Sequence, residues 1–427
     1  MERWTASEAN QLRELLGLRP EAFARRLTIH KRTVLRWRDG DTDPAAAIQE
    51  DLDNLLSEAA RKLARWLALD QLDQLAKMHR RDLLRLLAAS SSIPVGGIDL
   101  WNGLLTQVST TSLESLEEIT TALASLYRTS PPHLLLSPVT GHLEKASGLL
   151  GAAMKPSQRR RLESVVADVS VFVGVLSMHT GKLAQARAHL WTAEKMAQQA
   201  GNMALLPQVY AQQALLDYYS QAPTKDNDDP RSRIEHLEDA DQLARRYAPA
   251  IVQMAISAWL ADGKAAAKDA YDADKALEGS GLALVKAQGE GPVGIGFCSS
   301  AGAYRAWDQG RLEGFRGAVE LSLGRTSAID TITTSLELKT DPRWRANGLV
   351  DLAKALIAQK RPEEACDHLV KAHAIGLDQG SAAILHHVFG ARTLMPPKWN
   401  TLRCVRQLDD RLGLHGQLTA FGGPDRF

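Results

Sequence analysis

Cysteine, aromatic residues and net charge are all scarce in this sequence of 427 residues. The three cysteines, Cys298, Cys366 and Cys404, are too few and too widely spaced for a disulfide framework or a close-spaced zinc motif, which favours a reducing cytoplasm. Aromatic residues make up only 5% of the chain while alanine and leucine recur throughout, which favours helices over β-sandwiches and barrels. The 51 basic and 50 acidic side chains leave a net charge of +1, so a charged partner must meet a local patch.

Long apolar runs are also missing from the sequence. No stretch of about 18 uncharged apolar residues occurs, and the opening MERWTASEAN lacks the apolar core of a signal peptide. Arg80-Arg81 with the following LLAASSSIPVGG imitates a twin-arginine export signal, but it lies 80 residues into the chain behind a charged helical stretch. We therefore expect a cytoplasmic protein with no membrane partner.

The distribution of glycine and proline divides the chain into three parts. Residues 1–44 are typical of short helices, because breakers recur at Gly17, Pro20, Gly40 and Pro44. Residues 45–89 contain no glycine or proline, which predicts one long helix, and SSSIPVGG at 90–97 is typical of a flexible joint. We expect a small N-terminal domain at 1–44, a linker at 45–97 and a helical domain at 98–427.

The predicted linker helix carries an apolar stripe with a spacing close to three and a half residues. The stripe comprises Ile48, Leu52, Leu55, Ala59, Trp66 and Leu69. Such a stripe suits either pairing with a second copy of the chain or packing on its own domain, and the sequence does not decide between the two.

Three later segments share a signature of small and apolar residues spaced four and then three apart. They are Ala186, Leu190 and Ala193; Ala328, Ile332 and Ser335; and Ala365, Leu369 and Ala372. A turn precedes each segment, at TGK (180–182), LGR (323–325) and QKRP (359–362), whereas 205–300 matches the signature only loosely. Small residues at this spacing let stacked helical hairpins approach closely, and the pattern resembles the tetratricopeptide repeat of about 34 residues. The resemblance implies an α-solenoid in the C-terminal part of an all-α protein.

The strongest local signal is PEAFARRLTIHKRTVLRWRDG at 20–40. Pro20 suits the first turn of a helix, Phe23 and Leu27 supply an apolar face, and Thr28-Ile29 would form a tight turn before a helix anchored by Val34 and Trp37. This stretch resembles the helix-turn-helix of the Cro/C1 (XRE) repressor class, although that class usually has glycine where Thr28 stands.

A basic patch is hidden inside this neutral chain. Between Arg19 and Arg38 seven basic residues face Glu21 alone, which gives 7 − 1 = +6. The resemblance implies that the second helix lies in the major groove of double-stranded operator DNA. The residues implied to face the groove are His30, Lys31, Arg32, Thr33 and Arg36, and those implied to meet phosphates are Arg25 and Arg26.

No motif in the sequence supports an enzyme, a cofactor or a metal. GEGPVG at 289–294 matches the dinucleotide fingerprint, but it follows a helical stretch where that fingerprint needs a strand. The twelve histidines include no H-E-x-x-H, and no G-x-S-x-G elbow occurs.

The order of parts resembles helix-turn-helix plus repeat regulators of actinobacteria and peptide-sensing quorum regulators. The resemblance implies a transcription regulator that forms a homodimer and binds a short signalling peptide or a small molecule in the concave face of its solenoid. By counting back from Ala186 and Ala365, the effector-binding residues implied are Asp168, Met178, His179, Asn347 and Lys354. The alternative is an adaptor that uses the solenoid for protein recognition and whose basic head recognises no operator.

Overall fold

The computed structural model describes residues 3–15, 18–66, 110–127, 130–220, 230–289, 307–338 and 341–414. These residues form helices and turns and no β-strand, which confirms the all-α fold class. The chain divides into two compact units, the first made of Met1–Leu126 and Ser137–Val165 and the second of Tyr127–Leu136 and Val166–Phe427. The predicted joint, the twin-arginine imitation, Cys298 and all of GEGPVG except Gly289 lie outside the described residues.

Short helices build the N-terminal head, residues 3–57. They are α1 (Ala6–Leu15), α2 (Pro20–Arg26), α3 (Lys31–Arg38), a 3₁₀ turn (Ala46–Ile48) and the first part of α4 (Gln49–Trp66). Large side chains that are almost completely buried form the core of the head: Trp4, Leu12, Phe23, Leu27, Val34, Trp37 and Leu52. Burial of this many large apolar groups in so short a segment gives the head a core of its own.

Hydrogen bonds at the start of the chain fix the head to α4. The backbone N–H of Thr5 donates to Glu8 Oε2 at 3.0 Å while that of Glu8 donates to Thr5 Oγ1 at 3.3 Å, a capping box that starts α1. Trp4 donates through its backbone N–H to Gln49 Oε1 at 2.7 Å and through its indole Nε1 to Asp53 Oδ1 at 2.8 Å. These bonds join the two sides of the predicted boundary at residue 44.

The first half of the predicted stripe on α4 packs inside its own chain. Ile48, Leu52 and Leu55 are 8%, 0% and 9% exposed. For these residues the structure selects packing on the same domain over pairing with a second copy. The side chains of Ala59, Trp66 and Leu69 lie outside the described residues.

The rest of the first unit comes from α5 (Thr110–Leu126) and from parts of α6 (Pro132–Gly148) and α7 (Pro156–His179). Arg161 donates through Nε and Nη2 to the two carboxylate oxygens of Glu117, both at 2.6 Å. The buried hydroxyl of Thr120 lies 2.7 Å from His142 Nε2, and burial lowers the pKa of His142 to about 4.

Helix α7 is long and apolar enough to span a membrane, and it is the one described helix with that property. Its most apolar 18-residue window is 83% buried. A mostly buried apolar helix is typical of a soluble protein's core.

Besides Tyr127–Leu136, the second unit is an array of antiparallel helices that starts at Val166 within α7. The following helices are α8 (Leu183–Ala200), α9 (Leu206–Ser220), α10 (Pro230–Tyr247), α11 (Ala250–Ala266), α12 (Ala270–Gly289), α13 (Gln309–Ser322), α14 (Ala328–Leu338), α15 (Pro342–Ala358), α16 (Pro362–Asp378), α17 (Ala382–Thr393) and α18 (Arg403–Leu412). Every residue of the three predicted signatures is at most 3% exposed, as close packing of hairpins requires. The helical-repeat architecture is therefore confirmed.

A fourth hairpin of the same kind lies in the region that matched the signature only loosely. In α12, Ala273, Leu277 and Ser280 keep the spacing of four and three and are 0%, 9% and 0% exposed. The turn before α12 contains Lys268, which takes a left-handed φ of 64°. The corresponding turns of the other hairpins hold Gly181, Gly324 and Lys360 with φ of 75°, 73° and 61°. The four turns share one conformation although two of them use lysine.

Each hairpin has a small residue on its first helix at the position matched in sequence to the central apolar residue of its second helix. The four pairs are Gly174 with Leu190, Ala261 with Leu277, Gly317 with Ile332 and Ala353 with Leu369. The two members of a pair are 16 residues apart, except for Gly317 and Ile332, whose hairpin has the shorter turn. A Cβ added to Gly174 would lie 3.0 Å from the Leu190 side chain, and one added to Gly317 would lie 2.4 Å from Ile332 Cγ1. This contact sets how closely the helices of a hairpin approach.

Candidate functional site

The turn between α2 and α3 has the conformation that the sequence predicted. Leu27 ends α2, Thr28 takes a left-handed φ of 52°, and Ile29 is half-buried with its backbone N–H donating to the Ala24 carbonyl at 2.9 Å. A β-branched residue is strained in this region, so the surrounding packing must hold Thr28 in place. Phe23, Ala24, Val34 and Trp37 supply that packing, since each is at most 3% exposed.

His30 caps the N-terminus of α3. Its Nδ1 accepts a hydrogen bond from the backbone N–H of Arg32 at 3.1 Å. Because Nδ1 accepts, the neutral ring carries its proton on Nε2. That N–H belongs to an exposed side chain and suits a phosphate or base acceptor.

The basic residues predicted to contact DNA lie on the surface of the head. Arg32 and Arg36 are four residues apart on α3 and lie one above the other, on the face opposite to buried Val34 and Trp37. Lys31 is exposed at one flank of that face, and Thr33 is half-buried at the other. We call this surface of α3, with the exposed Arg25 and Arg26 at the end of α2, the basic face.

The charges of the basic face are only partly compensated. Lys31 forms an ion pair with Glu21, whose pKa falls because Lys31 hydrogen-bonds to the carboxylate. The side chains of Arg25, Arg32 and Arg36 have no partner in the described part of the chain. Lys31 and Arg32 also occupy the first turn of α3, which contains no acid. Cations at this positive end of a helix cost about 0.3–1 kcal/mol each, which an anionic partner would offset.

The five predicted effector residues fall into two groups. Asp168 and Met178 are 7% and 4% exposed, and Met178 packs among the apolar residues between α7 and α8. The structure thus places Met178 in the core, because the inward face of α7 is covered by α8. His179, Asn347 and Lys354 are only half-buried.

Those three residues contact residues from other parts of the second unit or from their own helix. We call this set the interior cluster: Tyr127, His179, Tyr218, Tyr219, Arg233, Asp262, Arg343, Asn347, Asp351, Lys354, Ser381 and His387. Tyr127 Oη lies 2.7 Å from His179 Nε2, and Ser381 Oγ lies 3.3 Å from His179 Nδ1, which joins residues 202 positions apart. Tyr219 stacks on His387 with centroids 5.5 Å apart. Opposite ends of the helical array therefore share this cluster.

Burial controls ionisation in the interior cluster. It lowers the pKa of His179 and His387 to about 3 and raises that of Tyr219 well above its usual range. Desolvation also raises the pKa of Tyr218, although 37% of this side chain is exposed. Tyr218 therefore offers accessible aromatic surface beside the desolvated members of the cluster.

Ion pairs hold some of the cluster's charges. Lys354 Nζ donates to Asp351 Oδ1 at 3.1 Å, and Arg233 Nη2 donates to Asp262 Oδ2 at 2.9 Å. Asp262 stands 11 residues before Ala273, as Lys354 does before Ala365, so the two occupy equivalent positions in their hairpins. Sequence reasoning missed Asp262 because it did not recognise the fourth hairpin. Within the described residues, no group of three potential metal ligands occurs.

No protein-family model and no curated protein matches the sequence. Among solved structures, the chain is similar to a signal transduction ATPase with numerous domains (STAND) protein with a tetratricopeptide repeat sensor from Pyrococcus horikoshii. The identity is 11% and the TM-score 0.33, with 98% of this chain and 65% of that chain covered. The chain thus spans just under two thirds of that protein.

Proposed function

We propose that this protein is a sequence-specific DNA-binding transcription regulator whose basic face contacts the operator and whose helical-repeat unit binds an effector. The observation that carries the proposal is the pair Arg32 and Arg36, exposed on one face of a helix whose other face is anchored in a core. Like charges four residues apart destabilise a helix by about 0.2–0.5 kcal/mol, so their juxtaposition suits an anionic partner.

The basic face has the chemistry needed for both kinds of DNA contact. An arginine side chain can donate two hydrogen bonds to guanine O6 and N7, and α3 projects Arg32 and Arg36 from a rigid support. Arg25 at the end of α2 is placed beside α3, where a phosphate contact would position the head without specifying sequence.

Dimerisation belongs to the same proposal, because two-fold proteins bind paired half-sites about one helical turn apart. Since Ile48, Leu52 and Leu55 pack in their own chain, the dimer contact does not use these three residues. Sedimentation of the full chain at micromolar concentration should show a dimer; a monomer that protects a single half-site would contradict it.

The proposal is tested by selecting DNA from a random library with the full chain. We expect an enriched motif bound about 10³-fold or more tightly than scrambled DNA at the same salt concentration. The variants Arg32→Ala and Arg36→Ala should each weaken binding to that motif by about 1–3 kcal/mol. Arg160→Ala, which removes an exposed arginine elsewhere, is the matched control. Binding without sequence preference would refute the proposal and favour the adaptor.

A further inference from the structure

Within the described residues, the guanidinium of Arg343 is buried and no carboxylate forms an ion pair with it. Its side chain is 4% exposed, and its carbon Cζ lies 4.1 Å from the centroid of the Tyr127 ring. Nη2 donates to the Tyr127 carbonyl, whereas Nη1 has no partner. Arg343 forms no ion pair with any carboxylate among the described residues, since Asp341 is engaged by Arg311 at 3.2 Å. A buried charge is costly unless it is paired, which points to an absent anion.

Two further polar atoms of the interior cluster lack partners. Arg233 donates through Nη2 to Asp262, but its Nε is buried and unpaired. His387 Nδ1 faces Asn347 Oδ1 at 3.3 Å, so the neutral ring donates there and leaves the unpaired Nε2 as an acceptor. Native proteins leave few such groups unsatisfied, and their concentration in one cluster needs an explanation such as a ligand.

Aromatic rings stand beside these groups. Tyr218 and Tyr219 each contact the ring of His387, with centroids 5.7 and 5.5 Å apart. The guanidinium of Arg233 lies 4.8 Å from the centre of the Tyr218 ring. Because Tyr218 retains 37% exposure, a flat molecule can pack against it.

We propose that the interior cluster binds a small aromatic carboxylic acid. Its carboxylate would neutralise Arg343, its ring would pack on Tyr218 and Tyr219, and a hydroxyl group on the ring would donate to His387 Nε2. The unpartnered atoms Arg343 Nη1 and His387 Nε2 match one carboxylate and one hydroxyl, which favours a compact ligand over a peptide chain. Such an acid would be the effector of the regulator proposed above, so this ligand class rests on the proposed function.

Calorimetric titration of the full chain without DNA tests the ligand class. The probes are benzoate, 3-hydroxybenzoate, 4-hydroxybenzoate and indole-3-acetate, each with its uncharged amide. We expect at least one acid to bind with one site per chain and its amide to bind about tenfold more weakly or worse. Arg343→Met should weaken the acid to a similar extent. Arg345→Met, an exposed arginine on the same helix, should leave it unchanged.

Three outcomes would overturn the inference: no acid binds, an amide binds as tightly as its acid, or Arg343→Met retains full affinity. If Arg343→Met fails to fold, Tyr218→Leu is tested instead, because Tyr218 is exposed enough to tolerate the change. Undiminished affinity of Tyr218→Leu for the acid would also overturn the inference. If no acid binds but a random-sequence peptide pool does, and Arg343→Met abolishes that binding, the cluster binds peptides instead. A chain that binds its operator but no acid refutes the ligand class alone, and one that binds an acid but no operator refutes only the DNA-binding function.

Discussion

The close approach of α13 and α14 predicts that Gly317→Ala destabilises the helical array. The added Cβ would lie 2.4 Å from Ile332 Cγ1, 3.1 Å from Ile332 N and 3.3 Å from Ile332 Cα. A rotation of the Ile332 side chain relieves only the shortest of these contacts, and the two backbone contacts stay tight, so the helices must separate slightly. Overpacking costs about 1–3 kcal/mol, and the better helix propensity of alanine returns about 1 kcal/mol. With a contact this short we expect a net loss of about 1–2 kcal/mol.

Hydrogen exchange of the full chain measures this loss where it arises. A loss of about 1–2 kcal/mol should accelerate exchange in peptides from α13 and α14 by roughly 5–30-fold. Gly390→Ala is the matched control, because no atom lies within 4 Å of its added Cβ and alanine should slow exchange in α17.

A double variant tests the cause of the loss. Ile332→Ala removes the atom closest to the added Cβ, so Gly317→Ala with Ile332→Ala should lose less stability than the sum of the single changes. Unchanged or slower exchange in Gly317→Ala would refute the close helix contact.

Three other predictions concern the turn, the basic face and the interior cluster. Thr28→Gly should stabilise the head by about 0.5–1 kcal/mol. The change removes a left-handed strain of about 1–2 kcal/mol, and part of this gain is lost because glycine gives the unfolded chain more conformational freedom. Faster exchange in α2 and α3 would contradict this prediction. Glu21→Gln should strengthen binding to DNA of any sequence, most at low salt, because it releases Lys31; equal or weaker affinity in filter binding would count against the basic face. Burial lowers the pKa of His387 from 6.5 to about 3. The neutral His387 ring therefore contributes its full stabilisation of the folded state above pH 6.5, and this stabilisation is lost as the pH falls towards 3, at up to about 1.4 kcal/mol per pH unit. His387→Gln should therefore flatten the decline of the urea midpoint between pH 6.5 and 5, and an unchanged slope would show that His387 is not buried as a neutral ring.

The parts of the fold that depend on residues close together in the sequence could be predicted from it. The turn at Thr28 and the anchors Phe23, Val34 and Trp37 are separated by only a few residues, so their spacing carries the information. The three hairpin signatures could be predicted for the same reason.

The fourth hairpin escaped prediction because its turn, Ala267-Lys268-Asp269, contains no glycine or proline. Lys268 adopts the left-handed conformation because the packed hairpin constrains it. No local sequence pattern predicts this conformation for a lysine. Its recognition would have identified Asp262, which occupies the position of Lys354.

The interior cluster could be predicted only in part. His179, Asn347 and Lys354 follow from the repeat position, but Arg343 and Tyr127 are 216 positions apart and meet only through tertiary packing. The sequence of any one hairpin does not contain that contact.

The central claim, that α3 recognises DNA sequence, is tested most directly by repeating the library selection with Arg32→Ala. If Arg32 contacts a base, the variant should select the motif of the unmodified chain with the preference lost at one base pair and kept at the others. Selection of an identical motif by Arg32→Ala, with the same preference at every position, would contradict the claim.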